Sequence, residues 1–264
     1  MQLGRQSRGA LIVILSAVLC SRAQSPSCPH PRYPSPSPAP IDSTSCGPAG
    51  SGGDETTQNE AKNNFCATGS AQPKTISEMM ALQQQVQKDN NIPFGNPDMH
   101  PLSTTHGPAT DRSALVKLGE GSEVVLNGFV KIARQEGAES VNCGTGKGVP
   151  DQPEYHDIHI SMVESPGQAE CAGVVVEMVP HHRPVSWTSD LVNQVASAKL
   201  PVRVTGQLMF DSSHTPCVNG KAVSGDPARA SLWEVHPIYE FDVCTQGDCS
   251  SGSGWVPLAA WKKP

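Results

Sequence analysis

The run Ser231–Cys244 constrains this chain most, because its residues alternate in character along its length. Trp233, Val235, Pro237, Tyr239, Phe241 and Val243 interleave with Leu232, Glu234, His236, Ile238, Glu240 and Asp242. A period of two is that of a β-strand, so the run is a strand with one apolar face and one titratable face. A second run, Tyr155–Val163, repeats the pattern, with Ile158, Ile160 and Met162 opposite Asp157, His159 and Ser161. Two such strands need a sheet with a core on one side.

Three further strands are predicted, over Val124–Ile132, Cys171–Met178 and Leu200–Phe210, with Gly128 marking a bend or bulge in the first. Between the third and fourth, Thr188, Ser189 or Asp190 caps a helix that carries Leu191, Val192, Val195 and Ala196 on one side. The order strand, strand, strand, helix, strand, strand predicts a mainly β fold, a five-stranded OB-like Greek-key barrel with a helix between strands three and four. A β-sandwich would need about seven strands and no interposed helix. Upstream, Thr75 and Glu78 form a capping box for a short helix over Ile76–Lys88.

The N-terminus sets the compartment. Arg5 and Arg8 precede the apolar run Ala10–Leu19, and Ser21-Arg22-Ala23 supplies small residues for cleavage, so residues 1–23 are expected to be a signal peptide. Residues 24–62, with prolines at Pro26, Pro29, Pro31, Pro34, Pro36, Pro38 and Pro40, are expected to be a disordered tether. Residues 63–98 form a short helical segment and residues 99–264 the barrel domain. The protein is expected to be periplasmic or extracellular, with no transmembrane span in the mature chain.

Cleavage removes Arg5, Arg8 and Arg22 and no acid, which moves the formal charge from −6 to −9. That balance argues against a nucleic-acid partner, whose phosphates need basic side chains. An unidentified envelope-associated or extracellular ligand is the expectation. Cleavage also removes Cys20, leaving an even number of cysteines, which in an exported chain form disulfides. Loops after strands one and four flank the same end of such a barrel, so Cys143 is expected near Cys217, and Cys244 and Cys249 can close a local loop. A Cys171–Cys217 bridge would count against this topology.

Candidate chemistry sits on the polar strand faces. Asp157 with His159, and Glu234 with His236, are i, i+2 pairs roughly 7 Å apart on one face. Carboxylate with imidazole suits a divalent transition metal, the one cofactor the sequence points toward. In an OB barrel, however, strand three separates strands two and five, and the polar faces would lie outside the barrel in solvent. Asp211 and His214, after strand four, could join Glu234 or His236 in a network, or Asp211 and Ser212 simply form the turn. Neither a phosphate-binding loop nor a serine-nucleophile elbow is present.

Val204-Thr205-Gly206, Phe210-Asp211 and His214, followed by Glu234-Val235-His236-Pro237-Ile238, resemble the "VTG…FD…H" and Glu-Ile/Val-His-Pro-Ile/Val strands of a group of uncharacterised bacterial proteins. The resemblance covers roughly residues 115–244 and implies a shared domain without bringing an activity. The expected function is an exported, disulfide-stabilised binding or structural module; the alternative is a metal-dependent hydrolase using Asp157, His159, Glu234 and His236.

Overall fold

The computed structural model describes residues 47–51, 55–89, 92–95, 112–143, 156–223 and 227–263. The expected signal peptide and most of the expected tether lie outside them. The elements are α1 (Thr56–Lys62), β1 (Thr68–Lys74), α2 (Ile76–Val86), α3 (Ser113–Lys117), β2 (Ser122–Gln135), β3 (Ile158–Val163), β4 (Val174–Met178), α4 (Ser189–Ala198), β5 (Pro201–Phe210), β6 (Trp233–Cys244) and β7 (Trp255–Pro257).

Strands β2 to β6 close a five-stranded barrel in the order β2-β3-β4-β6-β5, with β5 returning to β2. All neighbours are antiparallel except β4 and β6, which run parallel through Val176 and Val235. This is the OB-like Greek-key arrangement read from the sequence, with α4 between the third and fourth barrel strands. Strand β1 adds parallel to the first half of β2, and β7 adds to the end of β6.

The barrel interior is filled by the alternate apolar residues, among them Leu126, Ile160, Val176, Val204, Leu208, Val235 and Phe241, with Trp233 edge-on to Phe210 at 5.4 Å. Helix α2 starts at the predicted capping box, with Thr75 and Glu78 bonding reciprocally, and buries Ile76, Met79 and Val86. Helix α4 starts at Thr188 and buries Val192 and Val195, while the Asn193 side chain bonds both the N–H and the carbonyl of Ala133 on β2.

Three features depart from the sequence expectation. Strict alternation fails along β6, where Ile238 joins the barrel core and Tyr239 packs outside it with Phe65, Ala67 and Val179. The cause is a slip in the β5–β6 register on both sides of Gly206, where β6 carries Pro237, which has no N–H to donate. Second, Cys217 pairs with Cys171 and not with Cys143, which is itself disulfide-bonded. Because β4 and β6 are parallel, the loop before β6 returns beside the start of β4, where Ala230 N–H bonds Gly173 O at 2.8 Å. The bridge therefore sits within the barrel topology rather than against it. Cys244 pairs with Cys249 as expected.

Third, the end of the stretch assigned to the tether is helix α1, whose Gln58, Asn59 and Lys62 are buried against the outside of the barrel. Hydrogen bonds tie the helix and the two residues after it down. Asn63 donates to Pro48 O and Val141 O, Gln207 donates to Ala61 O, and Tyr239 OH donates to Asn64 O.

The slip at Gly206 leaves no room for a side chain: a Cβ there would lie 2.4 Å from Pro237 O and 2.6 Å from a Val235 methyl. Gly206→Ala is expected to cost about 2–3 kcal/mol. Urea unfolding at constant slope measures it, and an unchanged midpoint would contradict this packing.

Candidate metal centre

Barrel topology brings three polar positions into one row on the outer face. His159 on β3 is in register with Glu177 on β4, and the Val176–Val235 pairing sets Glu177 beside His236 on β6. The strand that seemed to separate the two candidate pairs thus supplies the carboxylate that joins them. Glu177 Oε2 lies 3.3 Å from His159 Nε2 and 2.7 Å from His236 Nδ1. Glu234 Oε2 is 3.7 Å from His236 Nδ1, and Arg229 bonds the other Glu234 oxygen. Asp157 accepts from Asn142 Nδ2 at 2.8 Å.

This face lies outside the barrel, as expected, but it is not solvated. Asp157, Glu177, Glu234 and His236 are 0% exposed and His159 is 4% exposed. Helix α1 and the segment after β2 cover them. Lys62 Nζ reaches Asp211 Oδ2 at 3.2 Å and Glu139 Oε2 at 3.4 Å, and Glu139 Oε1 lies 3.2 Å from His159 Nε2. Asp211 serves both readings of its position: Oδ1 accepts from Ser213 N–H at 2.8 Å in a turn, and Oδ2 lies 3.5 Å from His214 Nε2. It enters the network through Lys62 and His214, 3.0 Å from Gln58 Nε2.

Burial of so much charge demands compensation. Five carboxylates, Glu139, Asp157, Glu177, Asp211 and Glu234, lie around the side chains of Lys62 and Arg229, and the charge of Arg183 also acts on Asp157. Protons make up part of the difference. Burial, reinforced by Glu139, pushes Asp157 up to about 7, and burial with Glu177 pushes Glu234 up to about 7. Burial opposes a charged His236, but Glu177 outweighs it and raises the imidazole to about 10. Burial likewise opposes Glu139, yet Lys62 and then His159 bring it down to about 2.

Hydrogen bonding remains incomplete. Asp157 Oδ2, Glu177 Oε1 and His236 Nε2 are buried without a hydrogen bond, while Glu177 Oε2, Glu234 Oε2 and His236 Nδ1 are buried with only one another and His159 at 2.7–3.7 Å. Donor atoms of Asp157, Glu177 and His236 lie within 4.8 Å of one another, as do those of Glu139, Asp157 and His159, and of Glu177, Asp211 and Glu234. These groups could hold a metal ion. A cleft of about 540 Å³, lined by Glu55, Gln58, Lys62, Glu139, His159 and His214 among others, leads from solvent to His159.

Sequence reasoning named Asp157, His159, Glu234, His236, Asp211 and His214 but missed Glu177, Glu139, Lys62 and Arg229. Glu177 was recoverable, being the one charged residue in Val174–Met178 on the strand between the two histidine strands. Lys62, in a stretch resembling a polar tail, carried no such signal.

Among the described residues no helix is long and apolar enough to cross a membrane. Compared with known proteins, the chain matches no family model, no curated protein and no solved structure.

The pH dependence of the metal-free fold follows from these shifts. Asp157 and Glu234 have folded pKa values above their ordinary 3.8 and 4.5, so their contribution is complete below those values and is lost as pH rises through about 7. His236, raised above 6.5, contributes below that pH and loses its contribution as pH rises through about 10. Glu139 acts oppositely, losing its contribution only as pH falls below 4.5 toward about 2. Thermal melts of metal-free protein are expected to show a falling Tm from mildly acidic to alkaline pH; a Tm that climbs steadily over that range would contradict the assignment.

Proposed function

We propose that the chain is an exported, disulfide-stabilised binding module whose ligand is a divalent transition cation, and that its barrel is a domain shared with the bacterial proteins its strands resemble. The Cys171–Cys217 and Cys244–Cys249 bridges suit an oxidising, periplasmic or extracellular setting. The observation that carries the metal reading is the convergence of buried donor atoms without hydrogen bonds from three adjacent strands, β3, β4 and β6.

Resident cations narrow the position. Lys62 engages Glu139 and Asp211, and Arg229 engages Glu234. Each of two donor triads thereby has a member committed to a side-chain cation. Asp157, Glu177 and His236 contact neither Lys62 nor Arg229 directly, and His159 stands beside them. These four would hold the cation with two nitrogen and two oxygen donors, a set that suits zinc, manganese or iron. The bound cation would supply positive charge where protons now compensate, so binding is expected to release protons.

A hydrolase on the same residues would need a metal position open to substrate. The cleft reaches His159, whereas Asp157, Glu177 and His236 are fully buried, which favours a closed binding or structural centre.

The test is metal titration of purified protein with zinc and manganese. One equivalent per chain, a higher Tm with metal, and at least about a tenfold loss of affinity in Glu177→Gln and in His236→Ala are expected. No bound metal and no change in Tm would refute the reading.

A further inference from the structure

The one lysine in the cluster stands where a cation would. Lys62 lies at the end of α1, and its side chain is 6% exposed. Its ammonium sits between Asp211 Oδ2 at 3.2 Å and Glu139 Oε2 at 3.4 Å. Each of those carboxylates also meets an imidazole: Asp211 Oδ2 is 3.5 Å from His214 Nε2, and Glu139 Oε1 is 3.2 Å from His159 Nε2. With His159 belonging to the inner position, Glu139, Asp211 and His214 are donor types that suit a divalent cation as well as a seat for an ammonium. Asp211 is fully buried and its Oδ2 makes no hydrogen bond, so that oxygen relies on ion pairing alone. Lys62, Glu139 and His214 all line the cleft, so this position, unlike the one among Asp157, Glu177 and His236, has access to solvent.

We propose that the Lys62 ammonium occupies a second, outer cation position between Glu139 and Asp211, so that the natural chain takes one divalent cation and a chain lacking this charge takes two. The proposal rests on the metal reading above and adds the stoichiometry of that site. Helix α1 then does more than cover the cluster, because it brings a fixed positive charge that holds Glu139 and Asp211 away from a metal. A like charge this close also weakens the inner position, so its removal tightens inner binding by at least about tenfold.

The experiment is Mn²⁺ titration of the full mature chain, read by bound metal per protein and by Tm, for the natural protein, Lys62→Met and Lys62→Arg. The expected result is one Mn²⁺ for the natural protein and for Lys62→Arg, and two for Lys62→Met. Lys62→Met is also expected to melt lower than the natural protein without metal and to recover on adding Mn²⁺, since buried Asp211 loses its ion pair with Lys62. The double variant Lys62→Met/Asp211→Asn removes both charges, guards against a folding failure of the single variant, and is expected to return to one. One Mn²⁺ in the natural protein and one in Lys62→Met would overturn the outer position and leave the inner centre standing. None in any variant would overturn both. None in the natural protein, one in Lys62→Met and none in the double variant would overturn the inner centre and support the outer position, whereas one in Lys62→Met kept in the double variant would support the inner centre and overturn the outer position.

Discussion

The contact on which the rest of this structure depends is that of Glu177 with two imidazoles, His159 and His236, on the outside of a β-barrel. A carboxylate there would ordinarily be solvated at little cost. Here it is fully buried, and several kcal/mol of lost hydration per ion must be offset by neighbours. Burial opposes its charge, but His159, His236 and Lys62 hold the carboxyl well below its ordinary range. Lys62 and His159, both buried, are in turn raised by the carboxylates around them. The cluster is therefore a single network in which a change at one member alters the charge balance of the others.

Barrel topology makes this row, and the N-terminal helix seals it. OB-like order places β4 between β3 and β6, and a pleat that sends Ile160, Val176 and Val235 inward sends His159, Glu177 and His236 outward into adjacent positions. The outer face of the second and third barrel strands is where such folds commonly meet their ligands. In this chain α1 and the segment after β2 close over the row, with Gln58 bonded to Asp211 after β5, Asn63 to Val141 after β2, and Glu139 reaching His159 on β3. A surface that would otherwise face a ligand becomes a second, polar interior.

Legibility followed the range of the interactions. The five barrel strands, α2 and α4 could be read because each is set by local periodicity and capping, as at Thr75 and Thr188. The polar pairs Asp157–His159 and Glu234–His236 could be read for the same reason. Burial of those pairs could not, because it depends on distant residues whose own composition looks like a tail: Gln58, Asn59 and Lys62 are buried against Asp211, Ser140 and Glu139, which close over the row. The Ile238 and Tyr239 exchange was hidden as well, since it arises from a register slip opposite Gly206 and not from the pattern of β6 itself. The Cys171–Cys217 bridge was hidden too, since it depends on the loop before β6 returning beside the start of β4, which their parallel pairing sets and local spacing does not.

On the reading proposed above, the incomplete hydrogen bonding of this buried cluster is a place for one cation. An anomalous difference map from a crystal of the zinc-loaded protein tests it most directly. The account predicts a single strong peak at about 2.0–2.2 Å from donor atoms of Asp157, His159, Glu177 and His236. A zinc-loaded crystal with no peak among these four residues, or with peaks confined to the exposed surface, would contradict it.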